Sequence, residues 1–338
     1  MSQTKPAQPE PSTNWQPIAK LAVLKLRAQI LQRIRSFFNE RDILEVETPI
    51  LSAAATTTDP QLHSFNTRYS GPGPAHGCTL FLHTSPEFAM KRLLAAGSGS
   101  IYQICKVFRD TETGRLHNPE FTLLEWYRVG FDHHRLMDEV TQLVTHILEG
   151  KIVLDPPERL TYQQAFLDYA GIDPHTADKE CMIACAREQG IHIDGGFTDQ
   201  LEIWRDLLLT HVIEPQLGKN RLTFLYDYPA SQASLARIRP GTPPLAERFE
   251  LYLHGIELAN GFHELDDTHE QRGRFELDLR RRRAMGLPAI SHDERLLAAL
   301  AHGLPACSGV ALGVDRLVML AAEVNSIADV IAFSIENA

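Results

Sequence analysis

Arg109, Arg115, His117, Asn118, Glu125 and Tyr127 all fall within one stretch, IYQICKVFRDTETGRLHNPEFTLLEWYR, at residues 101–128. Two apolar and aromatic runs, residues 101–108 and 121–127, flank a polar insert carrying Gly114 and Asn118-Pro119. That pattern predicts an antiparallel hairpin with a long loop. Side chains alternate faces along a strand, so Phe121, Leu123, Glu125 and Tyr127 share one face while Trp126 and Arg128 take the other. Arg109 leaves the first arm where the loop begins. A guanidinium at a strand end, a carboxylate and a phenol on one face, and a loop with Arg115, His117 and Asn118 suit an anionic ligand with a planar ring. The hairpin by itself is equally compatible with an ordinary solvated loop.

A second chemistry-bearing stretch is ERFELYLHGIELANGFHEL, residues 247–265. Glu250, Tyr252 and His254 alternate with Leu251 and Leu253, which reads as a strand, and Gly255 marks a turn or bulge before Ile256-Glu257-Leu258. Glu250 and Glu257 can converge across that bend. Two such carboxylates near phosphates are hard oxygen ligands suited to Mg²⁺, whereas without a cation one of them would tend to protonate. A solvent-facing pair is the alternative.

The elements that must position these groups follow from periodicity. Residues 18–39 carry Leu24, Ala28, Leu31, Ile34, Phe37 and Phe38 at helical spacing among basic residues, an amphipathic helix. Residues 43–51 read as a strand whose Pro49 lacks a ladder donor and belongs at an edge or interface. Residues 53–77 have the composition of a loop able to cover a site. Ser85 and Pro86 fit the N-cap and first position of a helix over residues 88–94, and Glu87 in its first turn suits the helix dipole. Helices are expected over residues 132–148, 166–189 and 198–217, the latter two in a helical insertion at about residues 130–220. His133-His134 has no partner pair at metal-ligand spacing, which predicts a solvated helix start. Residues 222–228 read as a strand. A helix over residues 275–285 carries Arg280-Arg281-Arg282-Arg283, a run expected to be a solvated face or a dock for an acidic partner.

Composition bounds the rest. The length of 338 residues allows about two domains of ~150 residues or one large sheet domain. Residues 1–15, rich in Pro, Ser, Thr and Gln, are expected to be a disordered tail, with one domain over residues 16–338. No apolar run approaches the ~18 residues of a membrane span, and no secretory signal opens the chain. Five cysteines, without a disulfide framework or close-spaced metal tetrad, fit a reducing, cytoplasmic location. Cys181 and Cys185 stand one helical turn apart, as packing residues would. The net charge of -10 gives no general attraction to a phosphate backbone.

Phe108-Arg109, His117-Asn118-Pro119-Glu120-Phe121-Thr122 and Leu124-Glu125-Trp126-Tyr127 resemble motif 2 of class II lysyl-tRNA synthetases. The helix and strand at residues 18–51 are similar to motif 1, which builds the dimer interface in that family. The stretch Gly309-Val310-Ala311-Leu312-Gly313-Val314-Asp315-Arg316-Leu317 is similar to motif 3. This resemblance implies an α+β fold, a mainly antiparallel sheet flanked by helices. It implies ATP as substrate, with Arg109 on the α-phosphate, Arg316 facing the γ-phosphate, Mg²⁺ on Glu250 and Glu257, and Asp110, His117, Asn118, Leu258 and Gly313 around the nucleotide. For the amino acid it implies Ser85, Pro86 and Glu87 at the α-ammonium, Glu125, Tyr127, Asn260 and Ala311 along the pocket, and Glu264 on the side-chain ammonium. Residues 227–232 are similar to a strand and loop beside the family's active site.

Two departures stand out. Motif 2 of the family reads Arg-x-Glu, the glutamate contacting adenine, where this chain has Thr111 with Glu112 one place later. Ala311 replaces a glycine usual in lysyl-tRNA synthetases, which implies a preference for β-lysine over α-lysine. The residues ahead of Ile18 are too few for the five-stranded anticodon-binding barrel of those synthetases. A free-standing catalytic domain of this kind is most similar to the ligases that attach (R)-β-lysine to a lysine of translation elongation factor P. The resemblance therefore implies a homodimeric ligase that forms an amide on that protein and does not use tRNA. Other readings are a truncated synthetase charging tRNA, a non-catalytic lysine-sensing paralogue, and an amide synthetase acting on small molecules.

Overall fold

The computed structural model describes residues 15–55, 62–73, 75–191, 201–287 and 290–338. The expected N-terminal tail thus lies, but for Trp15, outside the described residues. In chain order the elements are α1 (Leu21–Asn39), β1 (Leu44–Glu45), β2 (Leu51–Ser52), β3 (Asn66–Arg68), β4 (Thr79–Leu82), α2 (Glu87–Ala95), β5 (Ile101–Phe108) and β6 (Glu120–Val129). There follow α3 (His133–Leu148), β7 (Asp155–Thr161), α4 (Tyr162–Ala170), α5 (Lys179–Glu188), α6 (Leu201–Leu208), β8 (Arg221–Pro229), β9 (Ile238–Arg239), β10 (Leu245–Leu253) and β11 (Ile256–His263). The chain closes with α7 (Thr268–Ala284), α8 (Glu294–Gly303), β12 (Cys307–Gly313) and α9 (Val314–Ala321).

The main sheet runs β1-β5-β6-β12-β11-β10-β8-β7, with β9 on β10, and β2-β4-β3 form a small second sheet. Its central pairs are antiparallel; β1 on β5 and β7 on β8, at the two ends, are parallel. The fold is therefore the expected α+β arrangement. The predicted hairpin is β5 and β6, paired from Ile101↔Tyr127 to Phe108↔Glu120. A second hairpin joins β10 to β11 through His254 and Gly255, whose φ angles of 53° and 70° suit a tight two-residue turn.

Helices cover the back of this sheet. Helix α3 places Leu136, Val140, Leu143, Val144 and Ile147 at three- and four-residue spacing, all buried in one core with Trp126, Phe249, Leu312 and Val318. Phe38 of α1 stacks on Tyr102 at 4.4 Å between ring centroids and meets Trp126 edge-on at 5.4 Å. Truncating such a residue costs about 3–5 kcal/mol. Motifs 1, 2 and 3 are stitched together behind the site: Arg27 of α1 donates to Asp315 and, at 2.7 Å, to Thr122 Oγ1, while the Thr122 N–H donates to Asp315 Oδ2 at 2.7 Å.

Several sequence expectations need correction. Residues 43–51 form two separate two-residue strands, because Pro49 interrupts the ladder between them. In α1 the core takes Ile30, which was not among the expected apolar positions, while Ala28 is exposed. The helix expected over residues 166–189 is broken into α4 and α5, ending first at Gly171 in the left-handed region with φ 72°. Within the segment expected as a helical insertion, α3 and β7 pack on or join the main sheet, and α4 to α6 pack with β8 and β10 in a second core that holds Tyr162, Phe166, Trp204, Tyr228 and Tyr252. Part of the expected helix at residues 198–217 lies outside the described residues; after α6 it first widens into one looser turn (Leu209–Ile213) and then tightens into one narrower turn (Glu214–Gln216). The four-arginine run is not wholly solvated: Arg282 is buried, and its Nη1 donates to the Leu62 carbonyl at 3.3 Å.

His133 is the sharpest departure. Its side chain is 2% exposed, with its ring 4.2 Å from that of His134 and 6.4 Å from that of His263. Because α3 starts directly behind the ends of β10 and β11, its first residue is packed against the sheet instead of projecting into water. Burial, reinforced by His134, lowers the His133 pKa to about 4.

Candidate active site

The front of the sheet is open where the back is covered, and the exposed faces of β6, β12, β11 and β10 line a cleft of about 1050 Å³. Alternation along β6 sends Phe121, Leu123, Glu125 and Tyr127 into it, as the sequence pattern implies. On β10 the same rule brings Arg248 and Glu250 forward; on β11, Asn260, Phe262 and Glu264 just past its end. Two glycines make room. A Cβ on Gly261 would stand 2.4 Å from the Phe249 ring behind the sheet, and one on Gly309 would stand 2.3 Å from Tyr127 and 2.5 Å from Glu264 Oε1 in front.

One end of the cleft is a buried carboxylate pocket. Glu125, 2% exposed, accepts from Ser85 Oγ on one oxygen and from the Tyr127 hydroxyl on the other, each at 2.8 Å. Ser85 Oγ also accepts the Glu87 N–H at 3.0 Å, so it caps α2 and holds Glu125 at once. Pro86 adopts a helical φ of -77° just before α2 but does not itself line the cleft. Lys91, one turn beyond Glu87, puts its Nζ 2.9 Å from Glu87 and 2.6 Å from Glu264 Oε2. Burial opposes that ammonium, but the two carboxylates outweigh it and hold the lysine above its ordinary range. Burial pushes Glu125 up to about 8, with the Glu87 charge adding to it, and pushes Glu264 up to about 7 against the pull of Lys91.

The other end is cationic. Arg316, at the start of α9, donates to the Glu257 carbonyl at 2.8 Å and approaches Glu257 Oε2 at 3.3 Å. Its other terminal nitrogen lies 2.8 Å from His117 Nε2. Burial and the Arg316 charge lower the His117 pKa, leaving a neutral ring to accept that bond. Arg109 stands over the Phe121 ring at 5.1 Å and 3.7 Å from Glu112. Thr111 takes a positive φ of 71°, and the chain turns there so that Glu112, not Thr111, lines the cleft.

Between the two ends stands a second carboxylate group. Glu250 accepts from the Tyr228 and Tyr252 hydroxyls at 2.6 and 2.5 Å and from Arg248. Strand register sets Tyr252 opposite Glu257 and Glu250 opposite Asn260, so both glutamates face forward on neighbouring strands. Glu214, which sequence reasoning missed, joins them through the Tyr252 hydroxyl at 3.3 Å. Burial, then the Glu250 and Glu257 charges, raise Glu214 to about 7; burial and Glu250 raise Glu257. Crowded carboxylates that repel one another are the donor set a hard divalent cation relieves, so these residues fit Mg²⁺.

The remaining sequence candidates divide. Leu258, Ala311 and Gly313 line the cleft with Arg316, and Ala311 sits between Asn260 and Glu125 in the strand register. Asn118 has its amide taken up by the backbone, donating to the Glu120 carbonyl at 2.7 Å and accepting the Ile335 N–H at 3.1 Å, so it shapes the loop. Asp110 lies outside the cleft and caps its own turn, Oδ1 accepting the Thr111 N–H at 2.9 Å. Lys91 was also missed. The only sequence signal for it is the four-residue spacing from Glu87 on one helix.

Fold and cleft are those of a class II synthetase domain: the family model for tRNA synthetases class II (D, K and N) matches residues 18–337, and the chain belongs to that family. Among its relatives, a protein of Pectobacterium carotovorum subsp. carotovorum named Elongation factor P--(R)-beta-lysine ligase is 52% identical over 97% of this chain and 99% of its own length. Proteins of the same name from Klebsiella pneumoniae subsp. pneumoniae and Photorhabdus laumondii subsp. laumondii are each 53% identical, again over 97% of this chain and 99% of theirs.

Proposed function

We propose that the chain activates (R)-β-lysine or lysine with ATP as an aminoacyl-adenylate and transfers the acyl group to the ε-amino group of a lysine on translation elongation factor P. The observation that carries this reading is the polarity of one cleft, acidic and buried at one end and cationic at the other. Glu87, Glu125 and Glu264 bring three carboxyl groups around the single ammonium of Lys91. Burial by itself favours the protonated forms of Glu125 and Glu264, and the two ammonium groups of a lysine-type substrate are the positive charges that draw such carboxyls into their ionised form. Glu264 pairs with the side-chain ammonium and Glu87 with the other amine, Ser85 and Pro86 holding α2 in place. Charge-assisted hydrogen bonds of this kind are worth about 1.5–3 kcal/mol each. Tyr127 and Asn260 fix the substrate's register, and the Ala311 methyl favours the β-amino isomer.

The substrate carboxylate is ionised at neutral pH and needs no base to attack the α-phosphorus of ATP. A new P–O bond forms, the bond to the bridging oxygen breaks and pyrophosphate leaves. Arg109 stabilises charge on the α-phosphate and Arg316, oriented by His117 and Glu257, does so at the γ-phosphate. Glu112 takes the adenine contact that Thr111 does not supply, and Leu258, Gly313, Asp110 and Asn118 support the nucleotide walls. Mg²⁺ held by Glu250 and Glu257 supplies charge neutralisation on the phosphates. In the second step a neutral amine nitrogen of the acceptor attacks the acyl carbon, the C–O bond to AMP breaks, and one proton is released.

A protein acceptor in place of tRNA is in keeping with the net charge of -10. Exposed Leu21, Leu44 and Leu51 on the motif 1 segment, at 68%, 56% and 44%, support a homodimer through that face. The five free cysteines fit a cytoplasmic setting, and among the described residues no helix is long and apolar enough to cross a membrane. Exchange of labelled pyrophosphate into ATP, dependent on lysine or β-lysine, tests the first step. Transfer of label to purified elongation factor P, resistant to RNase, tests the second. Label removed by RNase would return the acceptor to tRNA.

A further inference from the structure

We propose that His133, Glu247 and His263 bind a transition-metal ion of the zinc class on the back of the sheet, apart from the carboxylates in the cleft. Glu247 precedes the Arg248↔Phe262 pair of β10 and β11 and His263 follows it, so the two residues face each other across the strands. His133 comes to them from the first turn of α3. Each of the three offers one ligand atom, and these atoms lie within 4.8 Å of one another. Donors about 2.0–2.2 Å from a tetrahedral zinc ion stand roughly 3.4 Å apart, a closure that side-chain rotation supplies.

The second observation is His133 itself. It is 2% exposed, and neither Nδ1 nor Nε2 has a hydrogen-bond partner. An imidazole buried with both nitrogens unpaired is costly unless something else satisfies it. His263 Nδ1 and Glu247 Oε2 are 2.6 Å apart, so these two donors already converge on one point, and a metal ion between them would replace their mutual contact. Asp227 adds negative potential at His133, and its Oδ1 is buried without a partner. Arg239 pairs with Asp227 at 2.7 Å and stands 3.9 Å from Glu247; it is 41% exposed and free to turn outward when a cation enters. Two imidazoles and one carboxylate select zinc or cobalt over magnesium and calcium, with a fourth position for water. The ion would tie the start of α3 to the ends of β10 and β11, one residue before Glu264.

The test uses the full chain, stripped with chelator and titrated with Co²⁺ under saturating Mg²⁺ so that the cleft carboxylates do not compete. The expected result is one equivalent of Co²⁺ with the visible ligand-field bands of a low-coordinate site, displaced by Zn²⁺, and a rise in melting temperature with either ion. His133→Ala and Glu247→Gln should each weaken binding by about 100-fold. Glu247 is the second probe because its side chain is partly exposed and glutamine preserves its shape. Absence of the bands and of the thermal shift in the native chain would overturn the proposal. So would unchanged Co²⁺ affinity in Glu247→Gln, which would place the ion elsewhere.

Discussion

The Lys91 ammonium lies 2.6 Å from Glu264 Oε2, so the residue assigned to the substrate's side-chain ammonium already has a cationic partner inside the protein. Lys91 is 2% exposed and also bonds Glu87 at 2.9 Å. Removing its charge leaves the pocket's carboxylates buried without it. Lys91→Met should therefore cost about 3–5 kcal/mol of folding free energy, read by urea denaturation, with weaker lysine binding in whatever protein still folds.

Glu264→Gln keeps the shape of the pocket and loses its charge. Lysine-dependent pyrophosphate exchange should fall by about 10- to 100-fold in kcat/KM, the kinetic equivalent of one charge-assisted bond. A neutral isostere of lysine should be affected far less. Equal losses for both would remove Glu264 from side-chain recognition.

Glu125 should make stability depend on pH. The folded chain keeps a proton on this carboxyl up to about pH 8, while the unfolded chain releases it near the ordinary carboxylate range. Its contribution is thus full in acid, below the unfolded pKa, and is lost as pH rises through about 8. Glu264 and Glu214, both raised to about 7, act in the same direction. Denaturation midpoints measured from pH 5 to pH 8 should fall in the native chain and fall less in Glu125→Gln.

Gly309 meets Tyr127 and Glu264 so closely that an added methyl has no room. Gly309→Ala should displace Glu264 from Lys91 and raise the KM for lysine, with a destabilisation of about 1–3 kcal/mol. Ala311→Gly tests the opposite change one turn of the pleat away: the ratio of kcat/KM for β-lysine to that for lysine should drop. An unchanged ratio would remove the Ala311 methyl from isomer selection.

Much of the site was written in local pattern. The period-two alternation around Glu125 assigned the cleft face of β6, and the Glu250-to-Glu257 spacing around Gly255 implied a bend that places both on one face. What the sequence hid lies in contacts between distant segments. Lys91 acquires its role only because the fold brings α2 within reach of Glu264, far along the chain, and Glu214 joins the carboxylates only through Tyr252. Arg27 reaches Asp315 across most of the chain's length. His133 looked like a solvated helix start because periodicity does not reveal which end of a helix the sheet covers. The nine-residue strand at residues 43–51 failed for the opposite reason, since Pro49 was a local signal of interruption as well as of an edge.

The most direct test of the account is transfer of labelled β-lysine and lysine to purified elongation factor P, with ATP and Mg²⁺, comparing the native chain with Arg316→Ala and Glu264→Gln. The account predicts an RNase-resistant amide on a lysine of the acceptor, formed faster with β-lysine, lost in Arg316→Ala and strongly reduced in Glu264→Gln. Undiminished transfer in both variants, or label that appears only on tRNA, would contradict it.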